Sequence, residues 1–276
     1  MTQDLSFASK EHKVPVSIYD RIDMTAYPEM IYGWCFPRIL HNVIALRLAY
    51  PGLRILISKY DYSDAYYRRI AHSAKAAVQT IAIHDKLAYL ALQLTFGGCP
   101  NPPVFTSFSE TVTDLANEIS HCPGWVTEDL HSPDQPTLPE PKRLPNDVLI
   151  AEARRMAVTI PISNEGAIGR VDGFIDDLIN VFLDNPLNCA TQPHVVPLAM
   201  YVTSRPHAGE RSEEPILRRP ILSIPKLVAE GSPAEIQTVL GWRVDTRRLL
   251  IALPNDKYSA WVEDIQRFKQ AKSLSN

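Results

Sequence analysis

Cysteine is scarce in this sequence, and its spacing excludes two common kinds of site. The 276 residues contain four cysteines, Cys35, Cys99, Cys122 and Cys189, with no Cys-x-x-Cys pair among them. Such wide spacing argues against a zinc site and against a disulfide framework, and it favours a reducing environment. We therefore expect an intracellular protein, located in the cytoplasm or the nucleus.

Long apolar runs and a strong net charge are also lacking. No stretch approaches the ~20 apolar residues of a membrane-spanning helix, and the first residues lack the basic-then-apolar pattern of a signal peptide. The formal net charge is only -3, so a surface for nucleic acid would have to be a local patch. We therefore expect a soluble protein without membrane partners.

Glycine is infrequent, whereas proline is common. The sequence has 11 glycines against 23 prolines, and six of the prolines fall within residues 121–147. That composition breaks both helices and strands. We interpret residues 121–147 as a Pro-rich insertion at the surface of a folded domain.

The remaining sequence has the periodicity of a mixed α+β protein. Apolar residues at helical spacing predict helices over residues 36–50, 104–119, 147–159 and 255–272, and at the start of 221–253. Apolar runs of strand length predict a buried strand over 53–61, a strand pair around 84–86, a hairpin over 171–183 and short strands before 253.

Three acidic residues lie where the predicted strands end or turn. Asp61 closes an apolar strand, and Asp176 and Asp177 interrupt the predicted hairpin. An unpaired carboxylate costs several kcal/mol when buried, so these acids are expected at a sheet edge or in a cleft. If the strands are neighbours, the acids repel each other unless a cation such as Mg²⁺, which prefers oxygen ligands, lies between them.

Simpler interpretations of the same acids remain open. An Asp-Asp pair in a turn is commonly just solvated, and an aspartate at a strand end can cap the next element. The catalytic interpretation therefore depends on the order and surroundings of the three acids rather than on any one of them.

The order of the motifs resembles the polymerase domain of reverse transcriptases. Residues 59–66, KYDYSDAY, resemble the first palm motif of that family, in which a strand-ending aspartate precedes an aromatic residue. Residues 94–105, LTFGGCPNPPVF, are similar to the second motif, and residues 174–177, FIDD, are similar to the aromatic-x-Asp-Asp hairpin. Leu240-Gly241-Trp242 resembles the primer-grip hairpin.

The resemblance is to retrotransposon rather than retroviral enzymes. Retroviral members have glutamine before the glycine of the second motif, where this chain has Phe96. Residues 4–7, 16–17 and 20–23 are similar to a fingers motif of DIRS-like elements. The resemblance implies a polymerase palm, an antiparallel sheet backed by helices, over residues 51–253. It further implies partial fingers over 1–50 and the start of a thumb over 254–276.

The resemblance also assigns roles to residues of the catalytic centre. Asp61, Asp176 and Asp177 would hold two Mg²⁺ ions, with Mn²⁺ as an alternative. Of the acidic pair, the resemblance implies that Asp176 is the more direct metal ligand and ranks above Asp177. Lys226 would protonate the leaving pyrophosphate. Two metal ions about 3.5–4 Å apart hold the attacking and leaving oxygens of a phosphoryl transfer.

Substrate contacts are implied in the same way. Tyr66 would lie beneath the sugar of the incoming dNTP and exclude a 2′-hydroxyl. Gly97, Pro102 and Phe105 would shape the nucleotide site. Leu240, Gly241 and Trp242 would hold the primer end. The ordinary structural alternatives are a core tyrosine, a proline loop that caps a helix, and a tight hairpin with a core tryptophan.

Three functional hypotheses follow from the sequence. The first is a reverse transcriptase core that copies an RNA or DNA template from a primer, as part of a longer retroelement polyprotein, with a virus-like particle as one location. The second is a non-catalytic remnant that keeps the fold and nucleic-acid binding. The third is another metal-dependent nucleotidyl enzyme with a cyclase-like palm, which leaves residues 96–105 and Leu240-Gly241-Trp242 unexplained.

Overall fold

The protein has a mixed α+β fold. A computed structural model describes residues 17, 20, 23–27, 29–30, 32–63, 81–84, 86–90, 94, 101–122, 124–128, 132, 139–145, 168–204 and 220–270. Within these ranges the helices are α1 (Cys35–Ala49), α2 (Asn101–His121), α3 (Pro186–Ser204), α4 (Ile224–Glu230) and α5 (Asn255–Gln270). The strands are β1 (Ile55–Asp61), β2 (Ile81–His84), β3 (Leu87–Leu90), β4 (Gly169–Phe174), β5 (Asp177–Leu183), β6 (Ile236–Val239), β7 (Trp242–Asp245) and β8 (Leu250–Ala252).

A three-stranded antiparallel sheet, in the order β1-β5-β4, forms the centre of the fold. Its register pairs Ile55 with Leu183 at one end of β1 and Asp61 with Asp177 at the other. Because side chains alternate between the faces of a sheet, one face packs on α2 and α3, and the other packs on α1 and the β6–β7 hairpin. Two further antiparallel sheets, β2-β3 and β6-β7-β8, complete the described strands.

The helices pack through the apolar stripes that the sequence predicts. On α2, Phe105 and Val112 are fully buried, whereas Glu110 and Glu118 lie on the opposite, exposed face. On α1, Ile39 and Val43 enter the second core. Helix α5 differs, because it has no buried residue. Among the described residues no helix is both long enough and apolar enough to cross a bilayer.

Helix α3 is an element to which the sequence analysis assigns no structure. It contains Pro193 and Pro197, which normally disfavour a helix interior. Since Pro197 has no N–H, the carbonyl oxygen of Pro193 has no donor one turn later. The Tyr60 hydroxyl donates a 2.9 Å hydrogen bond to that carbonyl oxygen. The central sheet therefore supplies the hydrogen bond that proline removes from the helix.

Strand β1 is held on both of its edges. On one edge it pairs with β5 along its whole length. On the other edge, Ile57 exchanges backbone hydrogen bonds of 2.9 and 3.0 Å with Ala234, and Ser223 donates a 2.8 Å bond to the carbonyl of Asp61. Helix α4 lies between these two attachments. This arrangement fixes α4 against the end of β1 that carries Asp61.

A buried ion pair connects the end of the Pro-rich segment to this frame. The guanidinium of Arg247 donates to both carboxylate oxygens of Glu235, at 2.9 and 2.8 Å, and neither side chain is more than 2% exposed. The Leu144 N–H also donates to Glu235, at 2.8 Å, and Arg247 donates to the carbonyl of Pro145. A predicted surface insertion is therefore anchored in the core at its C-terminal end.

The structure confirms most of the predicted elements within the described residues. These are the helices at 36–50, 104–119 and 255–272, the strand at 53–61, the strand pair around 84–86, the hairpin at 171–183, and the helix with short strands at 221–253. The predicted helix at 147–159 lies outside the described residues, as do residues 123, 129–131, 133–138 and 146–147 of the Pro-rich segment. The sequence-based division into fingers, palm and thumb stays a prediction.

Breaking the Glu235 ion pair tests its contribution to the fold. We expect Glu235→Gln to lower the free energy of unfolding by about 3 kcal/mol, because it leaves the Arg247 charge buried without its counterion. Urea unfolding followed by circular dichroism measures this loss. The matched control is Glu230→Gln, which removes the 2.5 Å ion pair of Lys59 with a half-exposed glutamate and should cost less than about 1 kcal/mol. Equal losses in both variants would contradict the anchoring role.

Candidate active site

Two of the three predicted acids are direct neighbours across the central sheet. Asp61 ends β1, Asp177 begins β5, and the two residues are register partners. The Cβ atoms of such cross-strand pairs lie roughly 4.5–5.5 Å apart on the same face. Asp176 is the second residue of the two-residue turn between β4 and β5, directly before Asp177. Three acids from two distant segments therefore converge at one end of the sheet.

The turn that carries the acidic pair has a strained backbone. Ile175 has a φ of 56°, in the left-handed region that β-branched residues rarely adopt. A residue held in this region costs of order 1–3 kcal/mol and persists only where the surrounding structure enforces it. Here the enforcing structure is the β4–β5 ladder, which pairs Phe174 with Asp177 on either side of the turn.

Lys226 joins the acids from helix α4. Its ammonium group forms a short hydrogen-bonded ion pair with the carboxylate of Asp61. The attachment of α4 along the edge of β1 brings the lysine to this position, 165 residues away from Asp61 in sequence. The structure therefore brings together the predicted proton donor and the predicted metal ligands.

The acids perturb each other's ionisation. Burial, followed by repulsion from Asp176 and Asp61, raises the pKa of Asp177 to about 6. Burial is also the main cause that raises the pKa of Asp61, although the ion pair with Lys226 acts in the opposite direction. The hydrogen bond to Asp61 raises the pKa of Lys226. The site is thus a cluster of negative charge that Lys226 and Lys59 only partly neutralise.

A cleft of about 240 Å³ opens beside the acids. Asp61 and Asp177 form one wall, and Lys226 and Glu230 of α4 form another. The turn of the β6–β7 hairpin closes the cleft, and Leu240 is among the residues that line it. Residues from three of the segments that carry the resemblance therefore line a single cavity.

The β6–β7 turn has the geometry of a tight hairpin. Leu240 and Gly241 both have positive φ, 47° and 83°, as the favoured two-residue turns with a right-handed twist require. A Cβ atom on Gly241 would lie 2.9 Å from the Nζ of Lys257. Trp242 does not line the cleft; it is 39% exposed and stacks on Phe36, with ring centroids 6.4 Å apart.

The remaining predicted site residues have different locations. Tyr66 and Gly97 lie outside the described residues. Pro102 is in the first turn of α2, and its carbonyl accepts a hydrogen bond from Thr106. Phe105 is fully buried and packs edge-on against Tyr62, with centroids 5.2 Å apart. In this structure Phe105 supports the chain just after Asp61, and its side chain does not line a cleft.

The sequence analysis gave no role to Lys59 or Glu230, which face the same cleft. Lys59 lies two residues before Asp61, and the period-2 alternation of a strand places both side chains on one face. Its Nζ lies 2.5 Å from the carboxylate of Glu230. The strand pattern could have identified Lys59, but nothing local in the sequence indicates Glu230 as its partner.

The donor set fits a divalent cation only in part. Within the described ranges, no group of three or more His, Cys, Asp or Glu side chains is arranged to hold a metal ion. Asp61 and Asp177 still fit one cation as a pair, since Mg²⁺ is commonly bound through one or two carboxylates together with water and substrate phosphates. Lys226 forms an ion pair with Asp61, so a cation held by that carboxylate would compete with the ammonium group.

Comparisons with known proteins do not place the chain in a family. No protein-family model, curated protein or solved structure matches it.

The raised pKa of Asp177 predicts a dependence of stability on pH. The folded state binds this proton more tightly than the unfolded chain, so the stability contributed by the group is present below pH 4 and is lost as pH rises through about 6. Asp177→Asn removes the ionisation. At pH 7.5 in EDTA it should therefore be more stable than the parent by roughly 1–2 kcal/mol, allowing for solvent screening.

Urea unfolding at pH 4 and pH 7.5 measures this difference. The gain should be largest at pH 7.5 and should shrink toward pH 4, where the parent carboxyl is protonated. Glu118→Gln on the exposed face of α2 is the control and should change stability by less than about 0.5 kcal/mol. A gain of the same size at both pH values would mean that charge repulsion is not the cause.

Proposed function

We propose that this chain is the palm of a reverse-transcriptase-type polymerase, which extends a primer on an RNA or DNA template with dNTPs. The observation that carries the proposal is the convergence of three separate segments in one cleft. Strand β1 contributes Asp61, the β4–β5 hairpin contributes Asp177, and the β6–β7 turn contributes Leu240 and Gly241.

The chain's own groups supply recognisable functions in this proposal. Asp61 and the acidic pair Asp176-Asp177 bind the divalent cations. When bound, these ions stabilise the attacking and leaving oxygens of the phosphoryl transfer. Lys226 exchanges its contact with Asp61 for the anionic substrate and protonates the leaving pyrophosphate. Leu240 and Gly241 present backbone against the primer end.

The finer assignments belong to the same proposal. The β1-β5-β4 sheet with α2 and α3 corresponds to the palm over residues 51–253, preceded by partial fingers over 1–50. Helix α5 begins the thumb, over 254–276, and its exposed apolar residues agree with an element that packs on other chain segments. The chain would then derive from a DIRS-like retrotransposon.

A non-catalytic remnant that keeps this fold is the second candidate. The observation that favours it is the absence, among the described residues, of any three-ligand metal group. The ion pair between Asp61 and Lys226 neutralises part of the negative charge without a metal ion. A protein that has lost catalysis could keep the acids in this way. Activity measurements separate the two candidates.

Primer extension tests the catalytic proposal directly. The chain is incubated with an RNA template, a labelled DNA primer, dNTPs and Mg²⁺ or Mn²⁺. We expect template-dependent extension, and a loss of at least about 100-fold in Asp176→Asn, the scale on which removing a charge-stabilising group slows catalysis. Glu118→Gln should extend the primer at the parent rate.

The other outcomes distinguish the alternatives. If the parent chain binds the primer–template but adds no nucleotide with either metal, the remnant hypothesis replaces the catalytic one. If nucleotides are consumed without a template, a cyclase-like palm replaces both.

The position of Lys226 predicts a competition that is independent of activity. Because the ammonium group pairs with the Asp61 carboxylate, Lys226→Met should bind Mn²⁺ more tightly than the parent, by up to about fivefold. The limit follows from the ion pair, which is partly exposed and worth at most ~1 kcal/mol. Electron paramagnetic resonance of free Mn²⁺ measures the affinity without substrate. Lys59→Met, which removes a lysine from the same cleft wall but not from Asp61, should change it less. Equal or weaker binding by Lys226→Met would contradict the competition.

A further inference from the structure

A second groove, apart from the acidic cleft, lies between helix α1 and strand β4. It has a volume of about 320 Å³ and is lined by Pro37, Arg38, His41, Asn42 and Arg170. Arg38, His41 and Asn42 have i, i+3, i+4 spacing, which places them on one face of α1. Arg170 contributes from β4, the outer strand of the central sheet. The groove is therefore built by two elements that belong to the rigid frame.

An ion pair fixes the geometry of the groove. Arg38 donates two hydrogen bonds of 2.6 Å to the two carboxylate oxygens of Asp172. Asp172 is 5% exposed and stands two residues after Arg170, so both side chains project toward α1. This fork locks α1 to β4 and orients the guanidinium of Arg38, whose remaining N–H groups stay available at a side chain that is 45% exposed.

The charge of the groove is not balanced by its own acids. Asp172 compensates Arg38, whereas the exposed side chains of Arg170 and His41 have no hydrogen bond or ion pair with any described residue. Glu110 and Asp114 of α2 line an adjoining polar cleft that shares both arginines, and they limit the basic surface on that side. In that adjoining cleft two arginines face three carboxylates, Asp172 included. On the other side the groove presents the guanidinium of Arg170, which has no ion pair among the described residues, together with His41 and Asn42.

We infer that this groove binds a phosphate group of a polynucleotide backbone. Guanidinium groups present planar donors that match phosphate oxygens, and Asn42 and His41 add N–H donors at the same site. A contact to the phosphate backbone supplies affinity and position without sequence preference. We assign the groove to a polynucleotide rather than to free phosphate because it lies near the acidic cleft, where the primer and template would bind.

The groove and the acidic cleft lie on the same face of the central sheet. Arg170 pairs with Val181, which is four residues along β5 from Asp177. At about 3.3 Å per residue and about 4.8 Å between strands, the Cα atoms of Arg170 and Asp177 are roughly 14 Å apart. That is about four nucleotide steps of a duplex strand, at 3.4 Å per step. Helix α1 covers the sheet face between the two sites, so a polynucleotide that reaches both passes over α1 or along the edge of β4, a step that rests on the proposed function.

Oligonucleotide binding without metal tests the groove separately from catalysis. Fluorescence anisotropy of a labelled primer–template, measured in EDTA over a series of salt concentrations, gives Kd and its salt dependence. We expect Arg170→Gln to weaken binding about fivefold and to reduce the slope of log K against log salt by about 0.7–0.9, the contribution of one phosphate contact. Arg170→Lys, which keeps the charge but loses the planar donors, should recover part of the affinity.

Lys86→Gln is the control for net charge. Lys86 is exposed in the turn between β2 and β3, and its replacement removes the same single charge outside the groove. Its Kd should stay within about twofold of the parent, since long-range contributions of exposed charges are screened. Equal losses in Lys86→Gln and Arg170→Gln would overturn the inference, because they would show an effect of overall charge.

Inorganic phosphate and pyrophosphate distinguish the two sources of a phosphate group. The inference predicts that millimolar concentrations of either displace the oligonucleotide no better than a chloride solution of equal ionic strength. Displacement in the parent but not in Arg170→Gln would assign the groove to free phosphate and overturn the backbone assignment. Unaltered circular dichroism of each variant shows that the fold is retained, and any variant that unfolds is replaced by His41→Gln.

The result also separates this inference from the proposed function. If primer extension fails while binding depends on Arg170, the groove stands and catalysis does not. If extension succeeds while Arg170→Gln binds as the parent does, only the groove assignment fails.

Discussion

The pairing of Asp61 with Asp177 across adjacent strands is the constraint on which the candidate site depends. Two carboxylates in this position repel each other, and burial makes the repulsion costly, as the raised pKa of Asp177 indicates. The fold holds them together because β1 is bonded on both edges, to β5 and to the segments that flank α4. The same attachment delivers Lys226, whose charge offsets part of the repulsion. A cluster that destabilises the fold locally is thus maintained by backbone hydrogen bonds and packing around it.

The sequence predicts those parts of the fold whose signal is local. Strand β1 and the β4–β5 hairpin have continuous apolar arms, and α2 has an apolar stripe, so their periodicity identifies them before any tertiary contact is known. The positions of the three acids at strand ends follow from the same reasoning. The turn at Leu240 and Gly241, which lines the cleft, also has a local signal, because a glycine between two short strands indicates a tight turn.

Features that depend on distant partners could not be predicted in this way. Helix α3 contains two prolines, and its stability requires Tyr60 to bond the carbonyl that Pro197 leaves without a donor. The burial of Glu235 and Arg247 is explained by the ion pair between them, which forms only in the folded chain. Lys226 was assigned by resemblance, but its contact with Asp61 depends on how α4 docks on β1. In each case the deciding contact is a tertiary one that the local periodicity of the sequence does not encode.

The acidic cleft and the groove between α1 and β4 carry charges of opposite sign, and in both sites part of the charge has no partner. In the acidic cleft, carboxylates outnumber their counterion, so the site attracts cations and, through them, phosphates. In the groove between α1 and β4, Asp172 pairs with Arg38, whereas Arg170 has no ion pair among the described residues and offers its guanidinium to a phosphate. Both imbalances are held on strands β4 and β5, which share one register. Because that register fixes their separation, the spacing between the charge clusters is rigid, and a polyanion can contact both without a rearrangement of the sheet.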